Sequence, residues 1–116
     1  SDSMQYDVKE IRVKAGAKVA LTLNHTGKLP KTAMGHNLVI LAAGADVMTF
    51  VTAATSAAAE DYVPKSQAES VIVATKLIGG GESDTVIFDA PAAGTYEYLC
   101  SFPGHYAIMK GKFIVE

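Results

Sequence analysis

A single cysteine, Cys100, stands among 116 residues. One cysteine cannot close a disulfide within the chain, so the usual covalent mark of an oxidising compartment is missing. A chain of this length, read as one domain over residues 1–116, can bury enough core to do without that bridge. Charge of one sign is also scarce. A formal net charge of −2 excludes the strongly basic surface that nucleic acid selects, and it offers nothing to an anionic membrane surface. No apolar run reaches the roughly 18 residues of a spanning helix. Repeats, linkers and blocks of like charge are absent. Apolar residues at 49% and charged residues at 19% still place the chain among globular proteins rather than disordered ones. No export leader is visible; Ser1-Asp2-Ser3 reads as a trimmed start, which leaves open a signal removed earlier.

What is present is a series of short alternating segments. Residues 6–13 alternate imperfectly at Tyr6, Val8, Ile11 and Val13, with a break near Lys9-Glu10 that predicts a bulge or bend. Lys18–Asn24 alternates cleanly, with Val19, Leu21 and Leu23 on one face. Residues 25–35 read as loop, carrying Gly27, Pro30 and Gly35. His36 to Leu41 is an apolar run that predicts a buried strand. Residues 45–59 are alanine-rich; Asp46 can open a helix there, with Val47, Phe50, Val51 and Ala54 near helical spacing. Residues 71–75, 84–89, 95–100 and 110–115 complete the strand candidates, with Gly79-Gly80-Gly81 and residues 91–94 as turns, the first of them flexible. Many short strands joined by Gly/Pro turns predict an all-β sandwich or barrel.

The chemistry concentrates in Cys100-Ser101-Phe102-Pro103-Gly104-His105-Tyr106-Ala107-Ile108-Met109. Pro103 and Gly104 make this a turn and bar a continuous helix, so Cys100, His105 and Met109 share one folded loop. Thiolate, imidazole and thioether form the soft donor set that suits copper. A second imidazole at the mouth of another strand would complete a trigonal site, and His36 is the best placed. Such a site satisfies neither oxidation state of copper fully, so little need reorganise when an electron moves. Asn37 can anchor the two ligand segments by hydrogen bonds, and backbone N–H groups near Asn37 and Phe102 can donate to the sulfur.

At these residues the chain resembles the azurin branch of the blue copper proteins, the cupredoxins. The likeness lies in Cys100-Ser101-Phe102-Pro103-Gly104-His105 with Met109-Lys110-Gly111, in Leu29-Pro30-Lys31 and Met34-Gly35-His36-Asn37, in Asp61-Tyr62, and in Thr75-Lys76-Leu77-Ile78-Gly79. It runs from about Met4 to the C-terminus. It implies a Greek-key β-sandwich with a short helical flap inserted around residues 45–62, and one type 1 copper. His36, Cys100 and His105 would be the strong ligands and Met109 the weak axial one, with the Gly35 carbonyl approaching from the opposite side. The implied role is electron transport between redox partner proteins such as cytochromes or oxidoreductases, with no enzymatic activity. Leu29, Ala33, Met34, Phe102, Pro103, Ala107 and Ile108 would then include an apolar docking patch beside His105. The resemblance also implies a monomer in the periplasm or elsewhere outside the cytoplasm, with membrane tethering of a longer protein open. Departures are visible: there is no tryptophan, Leu38 occupying the place where some azurins bury one, and no disulfide.

Other readings compete. A copper-storage or copper-delivery protein would share the ligands, but such sites use several Met or Cys residues. A hydrolase built on Cys100 and His105 lacks an acidic orienter. Three histidines, two already used, cannot also build a multicopper catalytic centre. His25, at a loop edge, reads as a structural histidine with an open question of pH-dependent influence on a nearby metal.

Overall fold

The structure, a computed structural model, describes Tyr6 and residues 8–116. Residues 1–5 and Asp7 lie outside it, and with them the trimmed-start reading. Seven strands follow in order: β1 Glu10–Val13, β2 Lys18–Asn24, β3 Val39–Leu41, β4 Val71–Ala74, β5 Ser83–Asp89, β6 Gly94–Leu99 and β7 Lys110–Val115. They form a five-stranded sheet in the order β1-β7-β6-β3-β4 and a two-stranded sheet of β2 and β5. The chain therefore crosses repeatedly between two layers. The expected β-sandwich is present.

Alternation decides which face of each strand is covered. Val19, Leu21 and Leu23 of β2 turn inward and their neighbours are exposed, as a strand with one solvated face requires. β3 differs because both its faces are covered. Ile40 joins Leu38, Tyr96, Tyr98, Phe113 and Val115 between the sheets. Val39 and Leu41 face the other way and pack with Phe50, Val51 and Leu99 under the flap. An unbroken apolar run is the signature of such a strand. The imperfect first segment resolves into a bend at Lys9 and a β1 that runs parallel to β7, Glu10 opposite Lys112 and Val13 opposite Val115.

The flap contains a helix, Val47–Ala54, capped by Asp46, whose carboxylate accepts from the Thr49 N–H at 3.2 Å. That hydrogen bond holds the Asp46 carboxyl below its ordinary pKa. A 3₁₀ turn follows at Ala58–Glu60 and a second at Lys65–Ser70. A four-residue helical turn, Lys31–Met34, lies within the stretch read as loop; Pro30 starts it with its carbonyl, accepting from Met34 N–H at 2.9 Å.

The turn expected at Gly79-Gly80-Gly81 is present at Gly80 and Gly81, and packing accounts for two of its glycines. A Cβ on Gly80 would fall 2.6 Å from the Gly27 carbonyl oxygen, and one on Gly79 would fall 2.7 Å from the Lys31 nitrogen. The two glycines let the backbone of this segment lie directly on the 27–31 loop, to which Gly80 N–H donates at Leu29 O, 2.8 Å. Close backbone approach is their purpose, and it props the loop that precedes His36.

Candidate metal centre

The ligand loop is a hairpin connection whose base continues the β6–β7 ladder. Leu99 pairs with Lys110, and Cys100 N–H then donates to Met109 O at 3.0 Å. Within the loop His105 N–H donates to Phe102 O at 3.0 Å, closing a turn over Pro103 and Gly104. Gly104 has φ +84°, the left-handed conformation required at the third position of a type II turn, after proline at the second. Ile108 and Met109 N–H groups both return to His105 O, at 3.1 and 2.8 Å. Local chemistry alone thus folds Cys100, His105 and Met109 onto one another.

His36 comes from just ahead of β3, whose start lies beside the end of β6 because Val39 pairs with Leu99. A two-way backbone bridge with Ile78, 3.0 and 2.9 Å, pins it just before β3. Gly35 beside it has no room for a side chain: a Cβ there would meet Lys31 O at 2.6 Å, and Leu77 Cγ and Phe102 Cδ2 at 3.0 Å. Asn37, fully buried, joins the two segments. Its Oδ1 accepts from Ser101 N–H at 2.8 Å, and its Nδ2 donates to Ser101 Oγ at 2.8 Å and to Asp61 O at 3.3 Å.

The result is a cluster of one ligand atom each from His36, Cys100 and His105, all within 4.8 Å of one another and all buried. His105 Nδ1 lies 3.6 Å from Cys100 Sγ, and the Gly35 carbonyl oxygen 3.9 Å from the same sulfur. Met109 is buried at 1% exposure. His25 lies behind this cluster, its ring stacked on His36 at 4.3 Å. A backbone N–H can only donate and a carbonyl only accept. So His25 Nδ1, 3.1 Å from Gly27 N–H, is the acceptor, and Nε2, 2.8 Å from Met34 O, carries the proton. His25 is a neutral structural histidine that buttresses His36.

The donor set fits a soft, thiophilic cation. Burial, reinforced by His36, lowers His105 to about 4 against the opposing Gly35 carbonyl, so its imidazole is neutral and available near pH 7. Burial pushes the Cys100 thiol up to about 11, against the backbone N–H groups of Asn37 and Phe102, which favour the thiolate. Loading at pH 7 is therefore expected to expel about one proton per chain, from Cys100. Affinity should rise about tenfold per pH unit between roughly pH 5 and 8, and more steeply below pH 4, where His105 also protonates. A metal titration in weak buffer with a pH indicator measures this; no proton release would mean the thiol is not engaged. In the metal-free protein, His105 binds its proton less readily folded than unfolded. Stability is then expected to be full above pH 6.5 and to fall as the pH drops through 4.

A family model described as copper binding proteins, plastocyanin/azurin family, matches residues 1–116. The chain belongs to this family. Azurin-2 of Alcaligenes xylosoxydans xylosoxydans is 53% identical over 116 residues, covering 96% of this chain and 88% of the relative. Outer membrane protein H.8 of Neisseria gonorrhoeae is 45% identical over 115 residues, covering 97% of this chain and 62% of the relative. Among solved structures, dithionite-reduced auracyanin from Roseiflexus castenholzii superposes with a TM-score of 0.88 at 38% identity, covering 99% of this chain and 90% of that one. As a member of the plastocyanin/azurin family the chain is a blue copper electron-transfer protein, and one type 1 copper is its cofactor. Sequence reasoning missed Ser101, whose N–H donates to Asn37 Oδ1, while its Oγ accepts from Asn37 Nδ2 and donates to Tyr62 O at 2.6 Å. A serine after a cysteine carries no pattern that would mark it.

Proposed function

We propose that His36, Cys100 and His105 hold the copper, with Met109 as the weak axial ligand and the Gly35 carbonyl opposite, and that electrons cross at the His105 edge. The buried convergence of two imidazoles and one thiol within 4.8 Å carries this reading. When bound, copper supplies a one-electron couple between its +1 and +2 states. The residues supply the rest. Asn37 and the Pro103-Gly104 turn keep the donors in one arrangement for both states. Leu38, Ile78 and Phe102 exclude water, and the N–H groups of Asn37 and Phe102 stabilise the sulfur anion.

Apolar side chains are exposed on the segments that carry His36 and His105. Leu29 is 42% exposed and Ile108 46%. Ala107 is exposed, and Met34 and Pro103 are half-buried. Such a patch suits brief docking with cytochromes or oxidoreductases by a monomer that is a carrier and not an enzyme. Membership of a family with azurins supports a place outside the cytoplasm, and the outer membrane relative supports tethering in some members. No helix among the described residues is long and apolar enough to cross a membrane. A storage role finds no support in a site offering a single thiol and a single axial thioether, both buried. Met34→Lys is expected to slow electron exchange with a partner roughly tenfold, equivalent to ~1.4 kcal/mol of docking free energy, while leaving the visible spectrum unchanged. Stopped-flow kinetics measure it; an unchanged rate would remove the patch from the proposal.

A further inference from the structure

Two consecutive residues at the end of the flap, Asp61 and Tyr62, adopt left-handed backbone with φ of 55° and 62°. For tyrosine this conformation is a genuine departure that costs about 1–3 kcal/mol unless the surroundings enforce it. They do. Tyr62 N–H donates to Ala57 O at 2.9 Å. Ser101 Oγ donates to Tyr62 O at 2.6 Å, and Asn37 Nδ2 to Asp61 O at 3.3 Å. The same two side chains that join the ligand segments also hold this turn.

The turn sets the Tyr62 ring edge-on against Phe102, centroids 5.1 Å apart at 63°. Phe102 in turn lies over His105, 4.6 Å away at 33°. Phe102 also packs close over Gly35, where a Cβ would fall 3.0 Å from its Cδ2. The His105 ring therefore has Phe102 on one side and His36, at 5.1 Å, on another. Pro103 and Gly104 fix the backbone of His105 but leave χ1 and χ2 to these neighbours.

We propose that Tyr62 is a positioning residue for His105, acting through Phe102: the strained flap turn presses one aromatic ring onto a second and so holds the imidazole in its ligating orientation. The inference rests on the reading of His105 as a ligand. It assigns to the flap a function that neither its helix nor its sequence discloses.

Two substitutions separate the ring from the backbone. Tyr62→Asn removes the ring but tolerates left-handed φ, and Tyr62→Phe removes only the hydroxyl. NMR of the metal-free protein reads the His105 ring directly. In Tyr62→Asn its resonances are expected to broaden or split as the ring samples further rotamers, and copper affinity to fall about tenfold. Tyr62→Phe is expected to retain both wild-type values. Phe102→Leu should broaden the same resonances, and combining it with Tyr62→Asn should add nothing, because both act through one contact. Unaltered His105 signals in Tyr62→Asn, or additive effects in the double variant, would overturn the proposal. If Tyr62→Asn does not fold, Phe102→Leu alone decides: sharp wild-type His105 signals in it exclude the relay. Adding Cu(I) to the wild-type protein tests the underlying reading separately, since His105 signals that do not shift would deny it ligand status whatever the variants do.

Discussion

Copper-loaded Cys100→Ser is expected to be colourless, where the wild-type protein shows an intense visible band that a mild reductant bleaches reversibly. The band is a charge transfer from thiolate sulfur to copper, and Cys100 is the one source of sulfur anion in the chain. A serine hydroxyl stays protonated at pH 7 and offers a hard oxygen to a site that otherwise selects a soft metal. The loss of affinity should exceed the roughly 10–100-fold that changes in supporting residues cost. Stability of the metal-free variant gives the control. Cys100 is fully buried, so the new hydroxyl is expected to cost about 1–3 kcal/mol without unfolding the sandwich. A wild-type protein that binds copper without colour would mean that the donors do not form a trigonal site, and the storage reading would replace the carrier. A blue Cys100→Ser variant would mean that the ligand assignment is wrong.

The second large effect is expected at Asn37, which touches no donor atom with its side chain. Asn37→Ala should destabilise the metal-free protein by roughly 2–4 kcal/mol, measured by urea unfolding, and shift the reduction potential of the loaded protein. The magnitude follows from what is left behind. Ser101 N–H, in a residue only 1% exposed, loses its 2.8 Å acceptor. Two further donated bonds disappear, to Ser101 Oγ and to Asp61 O. Ser101→Ala is the informative comparison. It removes the hydroxyl, with its bonds from Asn37 Nδ2 and to Tyr62 O, but keeps the N–H satisfied, so it should cost about 1–2 kcal/mol, less than Asn37→Ala. Equal costs for the two variants would show that Asn37 does not act as the clamp between the ligand segments.

Much of this was legible in the residues because the relevant forces are local. The bounds of β2 follow from a strand with one wet face, and the folding of Cys100 through Met109 follows from Pro103 and Gly104. The helix in the flap follows from Asp46 and the spacing of Phe50, Val51 and Ala54. What was not legible depends on distant partners. Gly79 and Gly80 look like a hinge until the 27–31 loop is laid across them. Tyr62 is a poor candidate for left-handed backbone; its own bond to Ala57 O, the Ser101 bond to its carbonyl and the Asn37 bond to Asp61 O explain why it adopts it. The short helical turn at Lys31–Met34 offers too few residues for any periodicity. His25 reads as structural from its loop position, but its stacking on His36 is a tertiary fact.

The parallel pairing of β1 with β7 has a consequence in time. Glu10 waits for Lys112, and β7 also supplies the edge against which β6 and the ligand loop close. At synthesis rates of about 5–20 residues per second, β1 stays unpaired for roughly 5–20 s after it is made. His36 likewise precedes the rest of its cluster by several seconds. Cys100, the group that oxidation could spoil, is followed within about 1–3 s by the strand that pairs across its loop. The order of the chain thus places the thiol between two strands made almost together.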